Sequence, residues 1–448
     1  MYPESPIILG GSFVTRMAES FKTDIRWFEL FDYLVLGDGE EALLALLRER
    51  GRPAKPEAIP NLCYRQATEI RRSNVTGRTS FGSLPVPMLE FQGIDLASYV
   101  APFPVVALPI SRGCYWGKCT FCNISNQAEE PYRVRPVDKV VADIKVLQDV
   151  VRTRYFDFCI DSYHPSGLAK LSKALIDAQV GIEWNAEVLL DPKFSNDCLA
   201  IMAESGCRHL RFGFESANSS TLEVMQKRNI REVIDRILDD CSALDIKVSL
   251  MSIIGFPTET AAEAWNTIGY YLAKSDKISF VTLHHFNVSA GSPIMHDPSL
   301  CGIEIDRVPG LLQPRYRYSN KNPQGMSPAE VKDLVPRLEE AILEKYPQHA
   351  EIHTVGIGGW LTFLACCRHE SSYFKQPIVV GSPGGDRRYG NSNAANVTFG
   401  FDVPAVESIA RSGQVSGHIR LEPHSVMLSE DGRKITVVPG RLEQVHGV

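Results

Sequence analysis

The chain has 448 residues, 44% of them hydrophobic and 22% charged, which is an ordinary globular composition with room for two or three domains. Its net charge of −6 provides no general basic surface for nucleic acid. No apolar run approaches the roughly 18 to 20 residues of a membrane span, and residues 1–25 lack the pattern of a secretory signal. Eight of the eleven cysteines are scattered along the chain. That usage predicts a reducing, cytoplasmic setting, where a tight cysteine cluster binds metal more often than it forms disulfides.

In chain order, residues 1–52 hold two glycine-marked apolar stretches, SPIILGGSFVTRM (5–17) and FDYLVLGDGEEALLALL (31–47). Residues 53–105 are punctuated by proline (RPAKPEAIPNLCYR, GSLPVPMLE, APFPVV) and read as a linker. Six apolar, β-rich runs follow within 106–296: ALPISRG (107–113), YFDFCID (155–161), IEWNAEV (182–188), HLRFGFE (209–215), KVSLMSIIG (247–255) and ISFVTLHHFNV (278–288). Amphipathic stretches such as 137–150 and 231–244 lie between them. Alternating strand and helix patterns predict βαβ units on a parallel sheet. Right-handed crossovers would curl six such units into a partial (βα)6 barrel, with the chemistry at the carboxyl ends of the strands. In the last region, 297–448, residues 328–346 predict an amphipathic helix and SPGGDRRYGNSNAAN (382–396) a loop. HIRLEPHSVMLSEDGRKITVV (418–438) predicts a hairpin turning at Glu430-Asp431-Gly432. The α+β region they form would cap the barrel or recognise a substrate.

The densest chemical signal is SRGCYWGKCTFCNIS (111–125), which spaces Cys114, Cys119 and Cys122 as C-x4-C-x2-C. A structural zinc site closes its tetrahedron with a fourth Cys or His, and no nearby C-x2-C or H-x3-H pair supplies one. A [4Fe–4S] cluster also takes four cysteines as a rule, so three would leave one iron open to a substrate or cofactor. Simple packing is the remaining reading.

The segment resembles the cluster loop of radical S-adenosylmethionine (SAM) enzymes, usually C-x3-C-x2-C with an aromatic before the last cysteine, here Phe121. The longer first gap resembles variants found among peptide-maturing members. RFGFESANSSTLEVMQKRN (211–229) and SIIGFPTET (252–260) resemble segments of the cobalamin-dependent and methylthiotransferase branches. The resemblance implies that Cys114, Cys119 and Cys122 hold a [4Fe–4S] cluster, whose open iron is chelated by the amino group and carboxylate of SAM. Reductive cleavage of SAM would then give a 5′-deoxyadenosyl radical. By the same resemblance Glu215 would hold the ribose hydroxyls and Lys227 would face the carboxylate of SAM. Asp161 and Ser162 would lie near its amino group, Gly255 and Pro257 would let the backbone approach the adenine, and Phe121 would lie against the adenine face. Read without it, Glu215 is a helix-start acid, Lys227 and Arg228 are solvated helix charges, and Cys159 is a small core residue. Tyr115 and Trp116 rim the cluster or contact substrate, and one of His284 and His285 packs.

Residues 6–18 and 31–47 are similar to the closing part of a cobalamin-binding domain, but its D-x-H-x-x-G signature is absent and two strands do not make a doubly wound domain. These residues read as a small α/β remnant, and the sequence argues against cobalamin retention by this chain alone unless a separate cobalamin-binding protein completes the site. The resulting expectation is a radical SAM enzyme acting on a peptide or natural-product precursor, with C-methylation the leading chemistry and a reductase as electron donor. The alternatives are a tRNA-modifying enzyme, disfavoured by the lack of a further cysteine-rich domain, and a non-catalytic binding partner, disfavoured by the intact cysteines.

Overall fold

The structure, a computed structural model, describes residues 6–18, 24–49, 51, 53–87, 104–125, 131–306, 315–346, 363 and 367, together with strands at 396–399, 424–428 and 435–439. Its N-terminal part is a four-stranded sheet ordered β1 (Ile8–Leu9), β2 (Tyr33–Val35), β3 (Leu62–Gln66), β4 (Glu69–Arg72). The first pair is parallel and the rest antiparallel. Residues 62–72, expected within a linker, therefore form a hairpin that doubles the strand count of this sheet. The prolines at 53, 56 and 60 precede the hairpin rather than interrupt it, and Leu62, Cys63 and Tyr64 bury alternately on the two faces of the sheet.

The central element is a six-stranded parallel sheet: β5 (Val105–Pro109), β8 (Tyr155–Cys159), β9 (Glu183–Val188), β10 (Cys207–Glu215), β11 (Lys247–Ile254) and β12 (Phe280–His285). Neighbours in the sheet are neighbours in sequence, and β5 and β12 form its two edges. This is the expected open barrel. Helices at Val137–Val151, Pro165–Asp177, Asn196–Glu204, Arg231–Ala243 and Ala261–Ala273 connect the strands. The first buries Val140, Ile144, Leu147 and Val151 on one stripe, as a 3.6-residue period requires. On the sheet, Phe156, Phe158, Trp184, Phe212 and Phe214 belong to the same core, each contributing about 1.5–3 kcal/mol. Alternate strand residues carry polar groups instead. Arg211 donates to Asn185 Oδ1 at 2.5 Å and to Asp157 Oδ1 at 3.3 Å.

A two-residue antiparallel pair, β6 (Ser111–Arg112) with β7 (Arg133–Val134), closes the base of the cysteine loop. After the barrel come a three-stranded sheet (β13 Val288–Ser289, β14 Ile303–Asp306, β15 Arg315–Asn320) and the expected helix, at Pro328–Leu343. Strands β16 (Asn396–Phe399), β17 (His424–Leu428) and β18 (Ile435–Pro439) form a separate antiparallel sheet that contains the expected hairpin pairing. Its turn and nearly all of the loop expected at 382–396 lie outside the described residues. Phe363 and Cys367 pack with Val105 and Tyr155 at the N-terminal ends of β5 and β8.

The turn after β11 shows how the C-terminal helix engages the barrel. Gly255 is left-handed (φ 77°), and a Cβ there would meet Val331 Cγ2 at 2.4 Å. Its N–H donates to Glu259 Oε2 at 2.7 Å. Glu259 is fully buried, and burial pushes its carboxyl up to about 8. In the unfolded chain it ionises near pH 4.3, so its contribution to stability is complete below that value and is lost as pH rises towards 8. The melting temperature of Glu259→Gln should therefore fall less than that of the wild type between pH 5 and 8; parallel curves would refute a neutral buried carboxyl.

Candidate active site

The cysteine loop is held from three sides. Asp161 and Ser162 follow the second barrel strand, β8: Gly113 N–H donates to Asp161 Oδ2 (2.9 Å), Tyr115 N–H to Ser162 Oγ (3.1 Å), and Ser111 Oγ to the Ser162 carbonyl (3.0 Å). Tyr115 Oη donates to Asp191 at 3.0 Å beyond β9. The Trp116 indole donates to the Gln226 carbonyl at 2.9 Å, and Arg228 lies 3.9 Å from the Trp116 ring centroid. Thr120 donates from its N–H to the Met225 carbonyl and from its hydroxyl to the Val224 carbonyl. Tyr115 and Trp116 thus anchor the loop, as do Asp161 through Oδ2 and Ser162.

Cys119 is buried, and Cys114 and Cys122 are half-buried. Next to them, Lys227 Nζ donates to Glu215 Oε1 at 2.7 Å, with side chains 7% and 9% exposed. Neither residue is a solvated helix charge. Glu215 ends β10 in the left-handed region (φ 63°), at the register shift between Gly213 and Glu215, a conformation of the kind retained where surrounding structure dictates it. A Cβ on Gly213 would lie 2.6 Å from Glu215 Oε1 and 2.8 Å from Lys227 Nζ, so the glycine makes room for the pair. Burial opposes the charge on Lys227, but Glu215, joined by Cys119 and Cys122 when these are ionised, outweighs it and holds the ammonium above its ordinary range. Burial pushes the Cys119 thiol up to about 12 and raises Cys122, with Lys227 opposing both.

This donor set fits an anionic iron–sulfur group. Thiols driven towards the neutral form by burial need a cation and metal to ionise, and Lys227 is a buried cation electrostatically coupled to two of them. Among the described residues, no group of three or more His, Cys, Asp or Glu side chains could hold a single metal ion.

Phe121 packs with Leu222, Met225, Phe256, Phe286 and Ile294, and its ring centroid lies 5.9 Å from Lys227 Nζ. Gly255 meets Val331, and the Pro257 carbonyl accepts from Asn320 and Asn322, so both take part in packing the C-terminal region. Cys159, His284 and His285 are exposed at strand ends, not packed away. The sequence reading missed Asp38. Its carboxylate, after β2, accepts from Arg112 (3.0 Å) and Arg133 (2.6 and 2.8 Å), which flank the cysteine loop. Burial opposes its ionisation, but the two guanidiniums hold the carboxyl below its usual range. The GDGE stretch was visible; partners more than seventy residues away were not.

Residues 108–270 match the family model of the radical SAM superfamily. The chain is 25% identical over 270 residues to an uncharacterized methyltransferase of Pyrococcus horikoshii, covering 59% of this chain and 57% of that one. It spans about half the length of the curated relatives it matches. In fold it resembles the radical SAM methyltransferase TsrM of Kitasatospora setae, solved with cobalamin and a [4Fe–4S] cluster (TM-score 0.60, 15% identity, 81% of this chain and 79% of that one). It also resembles the cobalamin-dependent radical SAM enzyme OxsB with aqua-cobalamin bound (TM-score 0.60, 14% identity, 80% and 62%).

Because the Glu215–Lys227 pair is buried, removing one partner strands the other. Lys227→Met should lower the unfolding free energy by about 3–5 kcal/mol, and adding Glu215→Gln should return most of that loss in urea titrations. A double variant no more stable than the single would contradict the pairing.

Proposed function

Taking residues 108–270 as a radical SAM domain, we propose that this chain is an enzyme that reductively cleaves SAM at a [4Fe–4S] cluster and uses the product to modify a peptide or natural-product precursor. C-methylation is the leading reaction, supported by the curated relative named a methyltransferase. The observation that carries this reading is the buried ammonium of Lys227, which donates to Glu215 at 2.7 Å and lies 5.9 Å from the ring centroid of Phe121, the residue before Cys122.

In this reading the thiolates of Cys114, Cys119 and Cys122 would hold a [4Fe–4S] cluster, and the chemistry such a group would supply when bound is one-electron reduction of the SAM sulfonium, the electron coming from a separate reductase. Lys227 offsets negative charge at the thiolates and stands ready to donate to the carboxylate of SAM. Glu215, with a second oxygen beyond the one that accepts from Lys227, takes the ribose hydroxyls. Asp161 and Ser162 orient the loop, and Asp161, with a second oxygen beyond the one that accepts from Gly113, would lie near the amino group of SAM. Phe121, backed by Phe256, Phe286 and Ile294, lines an apolar wall that excludes water from a reactive centre. The scattered placement of the other eight cysteines supports a cytoplasmic setting.

Anaerobically reconstituted protein should bind about four irons, and changing Cys114, Cys119 and Cys122 together to Ala should abolish both iron binding and 5′-deoxyadenosine formation. SAM cleavage that survives in the triple variant would sink the assignment. A lost charge-assisted hydrogen bond costs about 1.5–3 kcal/mol, so Glu215→Ala should weaken SAM binding about tenfold or more by calorimetry. Glu223→Ala, on the exposed surface of the Ser219–Val224 helix, should leave it unchanged.

Two parallel strands, β1 and β2, are all that the described N-terminal sheet offers as a doubly wound edge. The isolated chain should therefore lose added cobalamin on desalting while still cleaving SAM. Stoichiometric corrinoid absorbance after desalting would reverse this and make cobalamin-dependent methyl transfer the preferred reaction.

A further inference from the structure

We propose that Asp38 is a positioning residue for the cysteine loop: from the N-terminal sheet it neutralises two arginines that face each other across the loop's base. The inference rests on the reading that this loop holds an iron–sulfur cluster.

The loop leaves the barrel through β6 and returns through β7, and the register of that pair sets Arg112 opposite Arg133. Like charges directly opposite on antiparallel strands are destabilising, and these side chains are only 33% and 20% exposed, so solvent screens them weakly. The base can close with this register only if anions stand beside it. Asp38 takes Arg112 Nη1 on one oxygen, and Arg133 Nη1 and Nη2 across both. Glu40, two residues on, takes Arg112 Nη2. Among the described residues Asp38 is the only carboxylate hydrogen-bonded to Arg133, whose Nη1 also donates to the Thr79 carbonyl at 3.0 Å and whose buried Nε has no hydrogen-bond partner.

The carboxylate is itself fixed. Gly37 N–H donates to Thr15 Oγ1 (2.8 Å), Asn61 Nδ2 to the Asp38 carbonyl (2.8 Å), and Thr79 N–H to Asp38 Oδ2 (3.0 Å). The side chain is 7% exposed. Arg112 stands two residues before Cys114, so a shift at the loop's base is passed directly to the first ligand. The acidic turn of the N-terminal sheet therefore acts on the cluster through the geometry of its loop.

The test uses the full chain, reconstituted anaerobically, with two readouts: the rate of iron release to a ferrous chelator and the electron paramagnetic resonance signal of the dithionite-reduced cluster. Asp38→Asn should release iron about tenfold faster, as when supporting partners of metal ligands are lost, and should alter the signal. Adding Arg133→Gln removes one of the two facing charges and should slow release back towards the wild-type rate. General unfolding caused by Asp38→Asn would not be repaired by a second lost contact. Wild-type release and an unchanged signal in Asp38→Asn would overturn the inference, as would a double variant that loses iron as fast as the single. A wild-type chain that binds no iron would instead strike the cluster reading on which the inference stands.

Discussion

The carboxyl end of the barrel is organised around one buried ammonium. Taking a charge of this size out of water costs several kcal/mol even after relaxation, so Lys227 is tolerable only where anions surround it. Glu215 supplies one, held in a left-handed conformation at the end of β10, and the Cys119 and Cys122 thiols supply negative charge when ionised. Other features serve that arrangement. Gly213 leaves the space, Gln226 takes a positive φ of 53° just before the lysine, and the loop docks through Thr120 on the Val224 and Met225 carbonyls. Strand β10 and the cysteine loop, nearly a hundred residues apart, are thereby fixed relative to one charge.

The N-terminal sheet acts at the opposite margin of the same loop. A doubly wound sheet usually uses the carboxyl edge of its strands to bind a ligand. Here the turn after β2 spends its carboxylates on Arg112 and Arg133. Residues 79–85 extend the contact: the Arg135 guanidinium bonds the carbonyls of Phe81, Leu84 and Pro85 and pairs with buried Asp143. The sheet is thus joined to the barrel through a band of arginines, and that junction lies beside the chemistry rather than away from it.

Much of this was legible in the sequence because strand and helix periods are local. All six barrel strands fall within a few residues of the apolar runs that announced them, and the amphipathic segments at 137–150, 231–244 and 328–346 are helices. The three cysteines could be picked out by type and spacing, and Lys227 only through the resemblance of residues 211–229 to a family segment. What the sequence concealed was choice of partner. Asp161 and Ser162 sit at the expected strand end but bond loop groups, because the loop folds back over that end. The pairing of Glu215 with Lys227 depends on backbone turns at residues 215 and 226, which neither residue type favours. The β3–β4 hairpin was hidden by prolines that mark its approach, since proline density signals turns without saying what lies between them.

The hollow at Gly255 bears on how such a chain can be recombined. The turn after β11 belongs to the barrel, yet the side chain that fills the space beside it, Val331, comes from the helix beyond. A Cβ at the turn or a bulkier residue on the helix would each break the fit, so the two positions constrain one another across the border between catalytic module and accessory region. A barrel of this type does not accept an arbitrary C-terminal partner. Any exchange of accessory regions among proteins with this architecture, in evolution or in chimera building, must transfer the complementary helix face along with whatever new specificity it brings.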